Sequence, residues 1–118
     1  MKVQAFDLAD LASARERTRA PYHEFLHVPD LSAGLYVLPA GGADPQQPHT
    51  EDEVYVVVRG RGQIEVDGES RVVHEGSIIF VPARAAHHFH TIEEELTILV
   101  FFAPAENSRR EEMRRTTT

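Results

Sequence analysis

The sequence has no cysteine, which removes disulfides and zinc-thiolate sites from consideration and fits a reducing compartment. Long apolar runs are missing too. No stretch approaches the roughly 20 residues of a membrane span, and Met1-Lys2-Val3 begins no signal peptide, so the expected location is the cytoplasm. Basic charge is scarce: 12 Lys and Arg stand against 19 Asp and Glu, a net charge of -7. A phosphate-neutralising surface needs clustered cations, so a general nucleic-acid binder is excluded. The expected partner is a small molecule, with neither nucleic acid nor membrane. What is present is an ordinary globular composition, 42% hydrophobic and 26% charged. A chain of 118 residues can bury one core but not two.

Residues 7–19, DLADLASARERTR, place Leu8, Leu11 and Ala12 at helical spacing and predict a short amphipathic helix ending before Pro21. An isolated helix this short is marginal unless it packs on something, so a mobile lead-in is the alternative. Tyr22 to Val28 and Gly34 to Leu38 read as strands, stopped by Pro29-Asp30 and by Pro39. Beyond Gly41 the apolar strand Val54 to Val58 ends at Gly60. Then come Gln63 to Val66, the strong turn signal Asp67-Gly68, and Arg71 to His74. Ser77 to Val81, Ala86 to Thr91 and Leu96 to Phe102 follow, the last two separated by an acidic turn at Glu93-Glu94-Glu95. Seven or more short strands with such turns predict an all-β sandwich or barrel. The expected layout is an N-terminal helix or arm over residues 1–21, the barrel over 22–104, and a charged, flexible tail over 105–118. That tail contains Arg109, Arg110, Arg114 and Arg115. It reads as a short solvated helix or as disorder, with a basic docking surface as the lesser reading.

The chemistry concentrates in GGADPQQPHTEDEVYVVVRG, residues 41–60. Side chains alternate along an extended chain, so Gln47, His49 and Glu53, at even offsets, can project to one side. An imidazole, a carboxylate and an amide oxygen then converge as a metal site short of one strong ligand. His87, after Pro82 in GSIIFVPARAAHHF, can supply it. A barrel interior holding two imidazoles and a carboxylate must neutralise the carboxylate, and a divalent cation does so directly. Two histidines and one carboxylate suit iron(II), and also manganese, nickel or zinc. Gln47 would add a weaker, neutral oxygen donor or leave its place to water or substrate.

These two segments resemble the paired motifs of the cupin superfamily of small β-barrels. Gly41, Gln47, His49, Glu53 and Gly60 fall at the spacing of the first motif, with glutamine where the first histidine is expected. Gly76, Pro82 and His87 match the second, while Arg84 stands for its glycine and Thr91 for its asparagine. The resemblance implies a single-domain, double-stranded β-barrel of jelly-roll type carrying a short N-terminal helix. It also implies metal-dependent dioxygenase, isomerase or lyase chemistry on a small oxygen-bearing molecule. A non-catalytic ligand-binding barrel is the alternative. A relic site is a further one, with His49 and His87 hydrogen-bonded and Glu53 paired with Arg84 or another cation.

Around this set, Tyr55 shares the parity of Glu53 and is expected either as a proton donor or substrate hydrogen bond, or as core filling with its hydroxyl satisfied. Glu51 lies in the Thr50-Glu51-Asp52 turn, where acids are usually solvated, and is the reserve carboxylate. His88 and His90 have the opposite parity to His87 and should point outward, barring a bulge. His23 and His27 match no family ligand position. Phe80, Phe89 and Phe101 are expected in the cavity lining or core. The strands at Val54 to Val58 and Ile78 to Val81 are apolar on both faces, so something must cover the outer wall. A partner subunit or the N-terminal segment can do this, and a homodimer is expected.

Overall fold

A computed structural model of the chain describes residues 2–46 and 48–107. One helix precedes six strands: α1 (Leu8–Thr18), β1 (Tyr22–Val28), β2 (Leu31–Leu38), β3 (Asp52–Val66), β4 (Glu69–His74), β5 (Ile78–Val81) and β6 (His87–Ala103). The helix is the one its spacing predicts. Leu11 is its buried residue, and Arg19 closes it in a left-handed conformation with φ 60°. The helix packs on β1 and β2. None of the described helices is long and apolar enough to cross a membrane.

The strands pair antiparallel in the order β1-β2-β6-β3-β4, and β5 also pairs with β3. Strand β3 is therefore the hub, touching three others. Its alternation sorts the side chains: Glu53, Tyr55 and Val57 are buried, while Val54, Val56 and Val58 are half-buried on the opposite face. Tyr55 and Val57 join Leu38, Ile64, Val81, Phe89, Leu96, Ile98, Val100 and Phe102 in one core. Each large apolar side chain so buried is worth about 1.5–3 kcal/mol.

The strand ends read from glycine and from acidic residues are corrected. Val54 to Val58 and Gln63 to Val66 are parts of one strand, β3, which runs through Gly60. Ala86 to Thr91 and Leu96 to Phe102 likewise join as β6, through the exposed Glu93-Glu94-Glu95. The pairing of β3 with β6 shifts register at Val57/Arg59, Arg59/Arg61 and Arg61/Gln63, so the chain bends by bulges instead of stopping. Gly60 is required at this bend. It sits at φ 102°, and a Cβ there would collide with the Glu95 backbone.

The outer wall is covered in part. Leu8 and Ala12 of α1 line a cleft with Val37, Val58 and Thr97, as expected if the N-terminal segment folds across it. Elsewhere the wall stays open: Ile78 is 72% and Phe80 59% exposed. Phe80, expected in the lining or core, is thus an outer residue, because it has the parity of Val54, its β3 partner. Phe89 is core as expected, whereas Phe101 is half-buried on the outer parity.

Candidate metal centre

The site lies where the start of β3, the end of β5 and both ends of β6 meet. Glu53 is registered between Val81 and Phe102. His87 opens β6, and His49 comes from the loop before β3. The two motif segments are tied together through Arg84, whose backbone N–H donates to the His49 carbonyl at 2.6 Å. Arg84 stands where the motif expects glycine and keeps a glycine-like φ of 68°. Its side chain forms no ion pair with Glu53 among the described residues, so the relic pairing of those two is absent.

His49, Glu53 and His87 come together as expected, each offering a donor atom within 4.8 Å of the others. His87 Nε2 lies 3.3 Å and His49 Nδ1 3.6 Å from Glu53 Oε1. These nitrogens and both Glu53 oxygens are buried, and none has a hydrogen-bond partner. Buried polar atoms are normally satisfied, so four orphaned donor atoms turned toward one another fit a cation between them. His87 is already oriented for it. Its Nδ1–H donates to the Ala85 carbonyl at 2.8 Å, leaving Nε2 to face Glu53. Burial alone would depress the His87 pKa, but the close, charged contact with Glu53 and the hydrogen bond to the Ala85 carbonyl raise it above the ordinary imidazole value. A proton and a metal ion therefore compete for the same lone pair.

Gln47, the expected fourth donor, lies outside the described residues. Its neighbour Gln46 lines the pocket and is fixed at both ends: its amide N–H₂ donates to Asp44 at 2.6 Å, and its oxygen accepts from Tyr55 at 2.9 Å. Asp44 also accepts from the Tyr36 hydroxyl at 2.6 Å and from the Phe89 N–H at 2.8 Å. Tyr55 faces inward with Glu53, fully buried. Burial first, and then the Glu53 charge, push its pKa up, so its hydroxyl stays protonated. Burial and the bond to Asp44 do the same for Tyr36.

Glu51 is corrected from a solvated turn residue to a buried one, 1% exposed. Its parity turns it inward, where it accepts the Asn107 N–H at 3.0 Å and the Thr50 hydroxyl. Residue 105 was the expected start of a flexible tail, yet Ala105 is fully buried and Ala105, Glu106 and Asn107 are docked through their backbone N–H groups on Pro29, Ser32 and Glu51. The tail arginines lie outside the described residues. His88 and His90 point outward, toward Glu65 and Ser70, and the exposed His27 pairs with Glu24. Neither they nor His23 join the cluster.

A cavity of about 190 Å³ opens beside the cluster, lined by Tyr22, Tyr36, Gln46, His49, Glu53, Val100, Phe102 and Glu106. Tyr22, Asp44, Gln46, Phe102 and Glu106 carry no local sequence signal for this site. They arrive through tertiary packing from the start of β1, an irregular loop, the end of β6 and the turn beyond it.

Comparison with known proteins shows the family and the fold. The model of a family described as "Cupin domain" matches residues 34–102. An uncharacterised protein of Streptomyces coelicolor is 46% identical over 105 residues, covering 89% of this chain and 100% of that one. Among solved structures, KdgF from Halomonas sp. superimposes with a TM-score of 0.66 at 24% identity, covering 73% of this chain and 79% of that one. The DMSP lyase DddQ from Ruegeria pomeroyi DSS-3 gives 0.63 at 21% identity, covering 70% of this chain and 47% of that one. At these identities the two structures speak to fold alone.

Proposed function

The chain belongs to the cupin domain family, and on that premise we propose that it is a metal-dependent enzyme acting on a small oxygen-bearing organic molecule. The observation that carries the reading is the set of orphaned, mutually facing donors on His49, Glu53 and His87. These three residues would hold a divalent ion, with iron(II) the first choice for two imidazoles and a carboxylate and manganese, nickel or zinc the alternatives. When bound, the ion would polarise a carbonyl or enolate oxygen of the substrate, or activate dioxygen toward it.

The protein's own groups then orient the substrate. Gln46, clamped between Asp44 and Tyr55, lines the cavity as a fixed polar group for the substrate. Tyr55 is committed to Gln46 and acts as a positioning residue, with its protonated hydroxyl beside Glu53. Phe102 and Val100 give the wall an apolar side that excludes water. Redox-active iron with substrate-dependent oxygen uptake would favour a dioxygenase, and zinc or manganese without it an isomerase or lyase.

The decisive experiment is elemental analysis of the full-length protein purified without chelator, beside His49→Ala. Stoichiometric metal in the parent and its loss in the variant are expected, and a metal-free parent would overturn the reading. Substrate-dependent oxygen uptake then separates a dioxygenase from an isomerase or lyase. A ligand held without turnover would indicate the non-catalytic barrel. We further infer that a second copy covers Ile78 and Phe80, whose exposure supports a homodimer, and that the protein works in the cytoplasm, which the cysteine-free sequence fits.

A further inference from the structure

The cavity is lined by two chemically different groups of residues. One is the donors of His49 and Glu53. The other is Tyr22 and Glu106, brought from β1 and from the turn after β6. Tyr22 is held in place by Gly34, because a Cβ on that residue would fall inside the Tyr22 ring. Its hydroxyl is buried and lacks any hydrogen-bond partner. Burial, and then the charge of Glu106, keep that hydroxyl protonated. Glu106 is placed by its backbone, whose N–H donates to the fully buried Ser32 at 2.8 Å. Flanking bonds run from Ala105 to Pro29 and from Asn107 to Glu51. One of its side-chain oxygens, Oε2, lies 3.4 Å from His49 Nε2, and the side chain is 20% exposed.

The described lining thus contains two carboxylates, an unused hydroxyl donor and neither lysine nor arginine. A divalent ion held by His49, Glu53 and His87 would keep one net positive charge, and Glu106, 3.4 Å from His49 Nε2, would offset it and weaken the pull on an entering anion. At about 190 Å³ the space suits a small molecule, and one bound in it lies near that carboxylate. An anion would sit close to a like charge in a partly buried site, where screening is weak. A hydroxyl or amine would instead donate to Glu106 and accept from, or stand beside, Tyr22.

Resting on the metal reading above, we propose that Glu106 and Tyr22 form a specificity element that favours uncharged or cationic small molecules bearing a hydroxyl or amine over carboxylates and phosphates. Glu106 is then a specificity residue, delivered by a turn that the barrel anchors through three backbone bonds.

The test uses full-length protein loaded with cobalt(II), titrated in the visible spectrum with azide as the anionic probe and imidazole as the neutral, N–H-donating one. Glu106→Gln keeps the backbone bond to Ser32 and removes only the charge. It is expected to raise azide affinity about tenfold, allowing for partial exposure, without raising imidazole affinity. Equal unfolding midpoints for parent and variant confirm that the turn is still docked. Tyr22→Phe is expected to leave the azide-to-imidazole preference in the direction of the parent, because the charge remains. An unchanged azide affinity in Glu106→Gln overturns the proposal. So does a rise in both probes together, which would mark a general effect on His49. Cobalt bands missing from the parent would overturn the metal reading itself, a failure recognised before any probe is added.

Discussion

His87 Nε2 and Glu53 Oε1 face each other at 3.3 Å, with both side chains 1% exposed and neither atom hydrogen-bonded. An isolated buried carboxylate is strongly disfavoured, so this pair must hold either a proton or a cation. Replacing the Glu53 charge should therefore affect the metal-free and metal-loaded states in opposite ways. Metal-free Glu53→Gln is expected to be at least as stable as the metal-free parent, since a buried charge is gone. Metal at a hundredfold excess over its dissociation constant should stabilise the parent by about 2.7 kcal/mol and the variant by much less. Urea unfolding with and without metal measures both.

The same pair sets a pH dependence. The folded-state pKa of His87 is raised above its ordinary value of 6.5. Its contribution to stability is therefore fully present below the unfolded-state value and is lost as pH rises through the folded-state value. The urea midpoint of the metal-free protein should fall as pH is increased across this window, and His87→Asn should flatten that slope. A slope of the opposite sign would show that burial dominates over the Glu53 contact.

Tyr55→Phe removes the hydroxyl that Gln46 accepts. Loss of a partner for a part-buried group costs about 1–3 kcal/mol, and the lower figure is expected here. Metal affinity, read by calorimetric titration, should change less than about twofold, because Tyr55 acts on Gln46. A large loss of metal would make Tyr55 part of the ion's own environment.

Gly34→Ala would drive a methyl into the Tyr22 ring. A destabilisation of about 1–3 kcal/mol is expected, as for other overpacked interiors. In a Tyr22→Ser background the same change should be nearly neutral. A double-mutant cycle in denaturant checks this, and additive effects would refute the contact.

Phe80→Asp places a charge on the open wall beside Ile78. If a second copy covers that wall, sedimentation at micromolar concentration should show a dimer for the parent and a single chain for the variant. Stability of the separated chain should stay within about 0.5 kcal/mol of the parent's, as at an exposed site. A parent that sediments as one chain would end the dimer inference.

The inner part of the site was legible because its signal is local. Glu53, Tyr55 and Val57 share a parity that turns them toward one interior, and His87 follows a glycine-to-proline strand at the spacing of the second cupin motif, which joins it to them. The barrel was legible for the same reason. Strand ends were not, since Gly60 and the run Glu93-Glu94-Glu95 mark turns in most sequences but here mark bends within continuous ladders. Glu51 reads as a solvated acid until Asn107 arrives to donate to it. Glu106 and Tyr22 were hidden more deeply. Nothing beside them in sequence predicts the cavity, and only the pairing of β1 on β2 and the docking of the last turn bring them into its lining.

The registration of Glu53 between Val81 and Phe102 also bears on how the protein is made. A ribosome must release β6 almost to its end before both neighbours of Glu53 exist, and closing such sequence-distant pairs places folding in about the millisecond-to-second range of β-rich domains. The surroundings of Glu53 are accordingly complete only once Phe102 has been made, and the proposed ion uptake follows that step.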